Sequence, residues 1–574
     1  MTTVLKYYTT TQDGRRVHYR RAGSGPPLVF LHASPGSSFA HEPLIARLAE
    51  HFTVIAPDTP GYGESTPLEP EEPTIGDFAE ALATTLDALQ LTRTHLLGSH
   101  TGGKIALEFA LRHPQRVSRL VLDGLGLYPP EMIPWLLEHY TPFFHPVSDG
   151  SHLVQQWTMR RDMGLFWPWF NRTPEGRLLR DLPSAEEQHD AFVDMLRAGN
   201  HYRKGYRAAF RYDGLAALRQ VRVPTALLTR QSDPLVAYVS RLTGLPEHVR
   251  SEVVADQPPG HFTARVVEFL QQGEAPPSPP PPPPVPFVVS EVRRDYAQTS
   301  VGQLLLRKSG AGPERPLVLL HASPGSSASL EPLLLRFGLD RPAVTFDNPC
   351  NGDSAPLPGT PEIGDLADVI LEAIDQLGFD EYDLYGSHTG AMIAIDIAIK
   401  RPRQVKHAIL DGVTLYDAER TRWLIENYPV PLRLSSYGDH IIWAWNQLRD
   451  MQLFYPYFDR RAASARQAGL SSPEAIHRSF LEFIKGGKTY HKSYRAAFAY
   501  PTAERLPLVQ VPVMHCAGPT DPLKVFVVPG TRLTPRAVGY ETPGLGTPES
   551  FSTTVSLWRT FLADRPLPQE GRLA

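Results

Sequence analysis

The chain has 574 residues, 42% hydrophobic and 21% charged, with a formal net charge of −4. That is more than one hydrophobic core organises, so at least two globular domains are expected, and the balance of charge gives no basis for binding nucleic acid or an anionic membrane. Two cysteines, Cys350 and Cys516, make no disulfide framework and fit a reducing cytoplasm, no apolar run approaches the ~18 residues of a membrane span, and the opening "MTTVLKYYTTTQDGRRVHYRR" has no apolar signal core.

In chain order, "PLVFLHASPG" is a short apolar run ending in a Gly/Pro/Ser turn, and "FTVIAPDTPGYGES" is a second. "THLLGSHTGG" is a third, and it passes directly into "KIALEFALRHP", where Ile105, Ala106, Phe109 and Ala110 fall on one helical face. "VSRLVLDGLG" and "VPTALLTRQSDPL" are further candidates for buried strands. Between them lies a segment from about Tyr128 to Tyr212 that is rich in Trp, Phe, His and Arg, as in "QQWTMRRDMGLFWPWFNR". "PPGHF" precedes a last amphipathic stretch. Strands of this kind alternating with helices predict an α/β domain with a mainly parallel sheet flanked by helices, and ligands beyond the carboxyl ends of the strands.

Residues 275–287, "APPSPPPPPPVPF", cannot pack as helix or sheet and favour an extended spacer. The chain beyond this spacer is a second copy of the chain ahead of it. "LHASPGSS", "GSHTG" and "YRAAF" each occur in both halves, and "SDPL" is answered by "TDPL". The offset between copies is the same for His100 and His388, Tyr206 and Tyr494, and Asp233 and Asp521. So long a period means two whole domains rather than a solenoid. The boundaries expected are 1–274, a linker over 275–287, and 288–574, and the linker leaves room for the halves to pack as an intramolecular pseudo-dimer.

Strand, G-x-nucleophile-x-G, helix is the elbow of the α/β-hydrolase fold, and "HLLGSHTGGKIALEFA" resembles it without gaps. "HASPGSS", "APDTPGYGES", "SDPL" and "PPGHF" stand in the order of that family's other landmarks, and the resemblance extends over both halves. It is to the cap-containing branch that includes epoxide hydrolases and haloalkane dehalogenases. It implies two tandem α/β-hydrolase domains, with helical caps over about 128–212 and 416–500. It also implies Asp233 as the catalytic acid, His261 as the catalytic histidine, and the backbone N–H groups of Ala33 and Thr101 as the oxyanion hole. Asp123 is an alternative source of the acid. His32 and Ser34 of the oxyanion loop and Arg161 and Tyr206 of the cap are candidate substrate contacts. His32, with its copy His321, equally fits a loop-fixing hydrogen bond, and Arg161 fits a structural pair with Asp162, repeated at Arg449 and Asp450.

The elbow carries His100 where the family pattern has its nucleophile, with Thr101 as an alternative centre. Four chemistries are open to a histidine there. It attacks an activated carbonyl and forms an acyl-imidazole that water cleaves. It positions substrate while an Asp233–His261 dyad acts as general base, as in cofactor-free lyases and dioxygenases on this fold. It binds a metal together with His261. Or the site is silent and the domain a binding module. The reading taken is a cofactor-free hydrolase of an ester, thioester, lactone or similar activated carbonyl, with a small-molecule substrate and no metal. In the second half His388 and Asp521 recur, but no histidine follows Asp521, so that half is expected to be a pseudoenzyme domain.

Overall fold

The structure is a computed structural model that describes residues 2–573. It resolves into two compact units whose boundary falls between Pro284 and Val285, the first also taking in Leu434–Asp439.

The first unit is built on an eight-stranded sheet. Its strands are β1 (Leu5–Thr10), β2 (Arg16–Ala22), β3 (Pro27–Leu31), β4 (Thr53–Pro57), β5 (Thr94–Ser99), β6 (Val117–Asp123), β7 (Thr225–Arg230) and β8 (Val249–Val254), in the spatial order β1-β2-β4-β3-β5-β6-β7-β8. An antiparallel hairpin, β1 and β2, leads in, and β2 meets β4 antiparallel. From β4 onward the pairings are parallel. Helices α1 (Glu42–Leu48), α2 (Ile75–Ala88) and α3 (Thr101–Arg112) follow β3, β4 and β5.

The central strands read as continuous apolar runs because both faces of the sheet are covered. Side chains alternate. Val29, Leu31, Ile55, Leu96, Leu120 and Leu122 pack with Phe78, Leu82, Ile105 and Phe109 of α2 and α3. Leu28, Phe30, Val54, Leu97 and Val121 turn the other way, onto Leu44, Ile45 and Leu48 of α1 and Val266 and Leu270 near the end of the unit. The start of α2 is fixed by a capping box, in which Thr74 and Asp77 satisfy one another's backbone N–H groups.

Between β6 and β7 the chain forms α4 (Met132–His139), α5 (Ser151–Asp162), α6 (Ala185–Ala198), α7 (Tyr202–Arg211) and α8 (Gly214–Leu218), the segment read from sequence as a cap. After β8 comes α9 (His261–Leu270).

The second unit repeats this plan on nine strands. They are β9 (Arg293–Thr299), β10 (Gly302–Ser309), β11 (Leu317–Leu320), β12 (Ala343–Phe346), β13 (Tyr382–Ser387), β14 (Val405–Asp411), β15 (Val513–Ala517), β16 (Ala537–Glu541) and β17 (Arg572–Leu573). The order β17-β16-β15-β14-β13-β11-β12-β10-β9 matches the first sheet, apart from the short β17, which pairs antiparallel with β16 at the edge. The chain is therefore two tandem α/β domains, each with a mostly parallel sheet between helices.

Candidate active site

The elbow follows from where β5 must turn. His100 adopts φ +49°, ψ −107°, a conformation that a residue with a Cβ rarely enters, and α3 begins at the next residue. Two glycines make the turn sterically possible. A Cβ on Gly98 would meet the Gly102 carbonyl, and a Cβ on Gly102 would meet the Leu31 carbonyl at the end of β3. The strained residue is thus His100, as expected, and not Thr101. Thr101 opens α3, so its N–H is one of the first-turn amides without an intrahelical acceptor. His388 has the same backbone, φ +49°, ψ −110°, and Gly386 and Gly390 are hemmed in the same way.

Asp233 lies just beyond β7, as the cap of a short 3₁₀ turn. The Leu235 N–H donates to its Oδ1 at 2.8 Å, which turns Oδ2 toward the elbow. There Oδ2 meets Nε2 of His100 at 2.6 Å. Burial of Asp233 would raise its pKa, but the hydrogen bond and charge of His100 outweigh that and hold the carboxyl below its ordinary range. An ionised carboxylate only accepts, so Nε2 is the donor and the lone pair of the imidazole sits on Nδ1. Burial works against a charged imidazole as well, yet the bond to Asp233, its charge and the more distant Asp123 raise His100 above its usual pKa. The ring remains reachable, with 38% of the side chain exposed.

This arrangement corrects the Asp233–His261 dyad. His261 is the first residue of α9, and its Nδ1 faces the Ala255 carbonyl at 3.2 Å. The reason is length. A serine hydroxyl ends one bond beyond Cβ and needs an intervening imidazole to reach the acid, whereas an imidazole at the elbow spans that distance itself. His100 therefore occupies the elbow and meets the carboxylate of Asp233 directly. Asp123, the alternative acid, is engaged elsewhere. Its Oδ2 accepts from Arg230 at 3.1 Å and from the Ser99 hydroxyl at 3.4 Å, and the Arg230 guanidinium lies 3.9 Å from the Phe262 ring centre. Burial raises the Asp123 pKa, with Arg230 and His100 opposing.

The oxyanion loop is fixed from several sides. His32 is 1% exposed. Its Nε2 accepts from Thr59 N–H at 2.8 Å and its Nδ1 lies 3.1 Å from the Ala33 carbonyl. Both ring nitrogens are in use, so His32 holds the loop. His321 does the same, with Asn348 N–H and the Ala322 carbonyl. The Ser34 hydroxyl donates to Tyr62 at 2.7 Å, and the Tyr206 hydroxyl donates to the Ser34 carbonyl at 2.7 Å. Asp194 accepts from the Ser37 N–H at 2.7 Å, tying the loop to α6.

His100 opens into a cavity of about 50 Å³ whose wall includes Ser34, Thr101, Tyr128, Tyr140, Trp167 and Tyr206. Ser34 and Tyr206 line this cavity with the aromatic rings of Tyr128, Tyr140 and Trp167. Arg161 does not. It lines a separate small cavity with Trp157, Arg160 and Gln188, and the Asp162 partner is Arg172 at 2.7 Å rather than Arg161. The second domain repeats this, with Asp450 pairing with Arg460 at 2.7 Å. The Arg side chain that can swing back to the aspartate comes from the loop after the helix, because an adjacent arginine on α5 points around the helix and away.

Sequence reading missed Lys104. It stands one turn into α3, its N–H donates to the His100 carbonyl at 3.1 Å, and it lines the same cavity. The signal was a lysine set among the small and apolar residues Gly103, Ile105 and Ala106, which the structure buries. In the second domain the same site holds Met392. There, His388 lies 3.2 Å from Asp521 and its Nδ1 is 3.0 Å from the Ser387 hydroxyl.

Among the described residues no group of three or more His, Cys, Asp or Glu is placed to hold a metal, and no helix is long and apolar enough to cross a membrane. Residues 26–264 match the family model described as alpha/beta hydrolase fold. The soluble epoxide hydrolase of Corynebacterium sp. (strain C12) is 36% identical over 153 residues, which is 26% of this chain and 49% of that protein. The 2-hydroxy-6-oxononadienedioate/2-hydroxy-6-oxononatrienedioate hydrolase of Burkholderia vietnamiensis (strain G4) is 39% identical over 128 residues, 21% of this chain and 44% of that one. Among solved structures, epoxide hydrolase A from Mycobacterium thermoresistibile aligns with 48% of this chain and 100% of its own at 21% identity, with a TM-score of 0.38. The chain spans about half or less of the length of these curated relatives. With the elbow and the sheet order, the match over residues 26–264 gives the first domain the α/β-hydrolase fold.

Proposed function

We propose that the first domain is a hydrolase in which His100, held by Asp233, acts as general base. The observation that carries this reading is the 2.6 Å contact between His100 Nε2 and Asp233 Oδ2 at the elbow. The carboxylate fixes the tautomer, leaves Nδ1 as the basic atom, and stabilises the imidazolium that forms when Nδ1 takes a proton from water. The hydroxide equivalent then adds to an activated carbonyl, such as an ester, thioester or lactone. The N–H groups of Ala33 and Thr101 receive the developing oxyanion, a role for which such donors contribute ~3–4 kcal/mol each. Names of the matched relatives, an epoxide hydrolase and a dienedioate hydrolase, support hydrolysis as the class of reaction.

The dyad also sharpens the choice between general-base and covalent routes. An imidazole whose far nitrogen is bonded to a carboxylate is a stronger base, because the carboxylate stabilises the positive charge the ring gains when Nδ1 takes a proton. Rapid-quench mass spectrometry of the full chain turning over an aryl ester or thioester tests this. The expected result is turnover that depends on His100 with no acyl adduct on it. An acyl-His100 species formed and consumed at the turnover rate would replace the general-base route with the covalent one.

A further inference from the structure

Lys104 is the second reactive group in the cavity of the first domain, and neither the dyad nor the oxyanion loop uses it. Its side chain is buried to within 2% of complete exclusion. The Nζ donates to the Ala209 carbonyl at 2.7 Å and lies 5.2 Å from the centre of the Tyr128 ring. Among the described residues no carboxylate forms an ion pair with it. The surrounding wall, with Tyr128, Tyr140, Trp167 and Phe210, is aromatic. A lysine that merely filled space here would be replaceable by a hydrophobe, and the second domain shows the replacement: Met392, 1% exposed, occupies the corresponding place on the corresponding helix.

We propose that Lys104 is an amine nucleophile that condenses with the carbonyl of an aldehyde or ketone, so that the first domain takes small carbonyl compounds as Schiff bases beside His100. The neutral amine adds to the carbonyl carbon and forms the C–N bond, while the π pair of the C=O moves to oxygen and is protonated. The carbinolamine then takes one proton from solvent and loses that oxygen as water, the nitrogen lone pair forming the C=N bond of a protonated imine. Atoms and electrons balance without an oxidant or reductant. The step needs a neutral amine near neutral pH. Burial supplies it, pushing the Lys104 pKa down to about 7 against a weak opposing pull from Asp213. His100, lining the same cavity, presents Nδ1 as the base available to the resulting iminium. The inference uses the same cavity as the hydrolase reading but does not need hydrolysis to occur.

The test is reductive trapping on the full chain. The protein is treated at pH 7 with acetaldehyde and cyanoborohydride, and each lysine is followed by peptide mass spectrometry. An amine of pKa near 7 has a neutral fraction roughly a thousandfold larger than an ordinary lysine, so N-ethylation of Lys104 is expected at least about tenfold faster than at the other lysines. The preference should vanish in the urea-unfolded chain and persist in His100→Ala, where hydrolysis fails. Lys104→Met, which copies the packing of the second domain, should fold and lose the fast label. If Lys104 in the folded protein is unmodified, or reacts no faster than surface lysines, the proposal is overturned. The same holds if Lys104 stays unmodified while acetate raises the melting temperature of the wild type but not of Lys104→Met, which would make the amine a cationic anchor for carboxylates.

Discussion

The two domains share an elbow and differ around it. Both hold a histidine at φ +49° on a turn with no room for a Cβ on either flanking glycine, and both aim an aspartate at it from beyond the seventh strand. In the first the contact is 2.6 Å, and in the second 3.2 Å. In the first, the buried carboxylate next to the elbow, Asp123, is matched by Arg230. In the second, the position of Arg230 is Gly518, and Asp411 accepts instead from the Tyr385 hydroxyl at 2.9 Å. Burial then lifts Asp411 to about 6, although His388 and Tyr385 oppose it. Lys104 gives way to Met392. The elbow is thus the common frame, and the chemistry is decided by what surrounds it. A missing partner for His261 is no longer the reason to regard the second domain as a pseudoenzyme. The longer dyad, the glycine at the Arg230 position and the absent amine support that reading instead.

The largest expected effect breaks the symmetry of the two dyads. Asp233→Asn leaves the hydrogen bond but removes the charge that fixes the tautomer and stabilises the imidazolium, and turnover should fall ~10²–10⁴-fold. Asp521→Asn should leave turnover of the full chain unchanged. Steady-state kinetics on both variants decides it, and equal losses would make the second domain a working site.

The next effect should treat the domains alike. Gly102→Ala and Gly390→Ala each press a Cβ onto a strand carbonyl, of Leu31 and Leu320, that cannot withdraw without moving the sheet. Each should lose ~1–3 kcal/mol of stability in its own domain, read from denaturant unfolding. A large loss in one domain only would mean that the two elbows are not equivalent.

A smaller effect lies in the pH dependence of the first domain's dyad. His100 must be neutral to act, and Asp233 raises its pKa after burial has lowered it, so the acid limb of kcat/KM should lie above the ~6.5 of a free histidine. Asp233→Asn should move the residual limb to lower pH. Stability runs the other way. A histidine whose pKa is raised on folding contributes fully below its unfolded value and loses that contribution as pH rises through the folded one. A depressed Asp233 contributes above its unfolded value and loses that contribution as pH falls through the folded one. The ion pair is therefore complete only between those two limits, and melting temperature against pH, compared between wild type and Asp233→Asn, checks the window.

How far the sequence could lead is clear from particular residues. Gly98, His100 and Gly102 were legible because the elbow is local: a strand, a forbidden backbone angle and a helix within a few positions. Asp233 was proposed through the resemblance of "SDPL" after a strand, and the structure shows a turn in which the aspartate caps Leu235. The mistake over His261 came from carrying a spacing across without the length of the side chain at the elbow. An imidazole fills the distance that a serine leaves open, and no motif records that. The pairing of Asp162 with Arg172, ten positions away, and the burial of Lys104 against Ala209 are tertiary facts, set by how α5 and α7 fold back over the sheet.

The smallest expected effect tests that correction. His261→Ala removes a ring whose Nδ1 faces a backbone carbonyl at the start of α9 rather than Asp233. Its neighbour Phe262 keeps its place under Arg230. With no contact to the dyad lost, kcat/KM should change by less than about threefold, within the ~0.5 kcal/mol typical of substitutions away from special features. The pH profile should keep the acid limb set by His100. A loss comparable to that of Asp233→Asn would mean that α9 swings inward during turnover and that the sequence pattern described the reacting state. A change of a few-fold, set beside a large loss in His100→Ala, would leave one imidazole at the centre of the site.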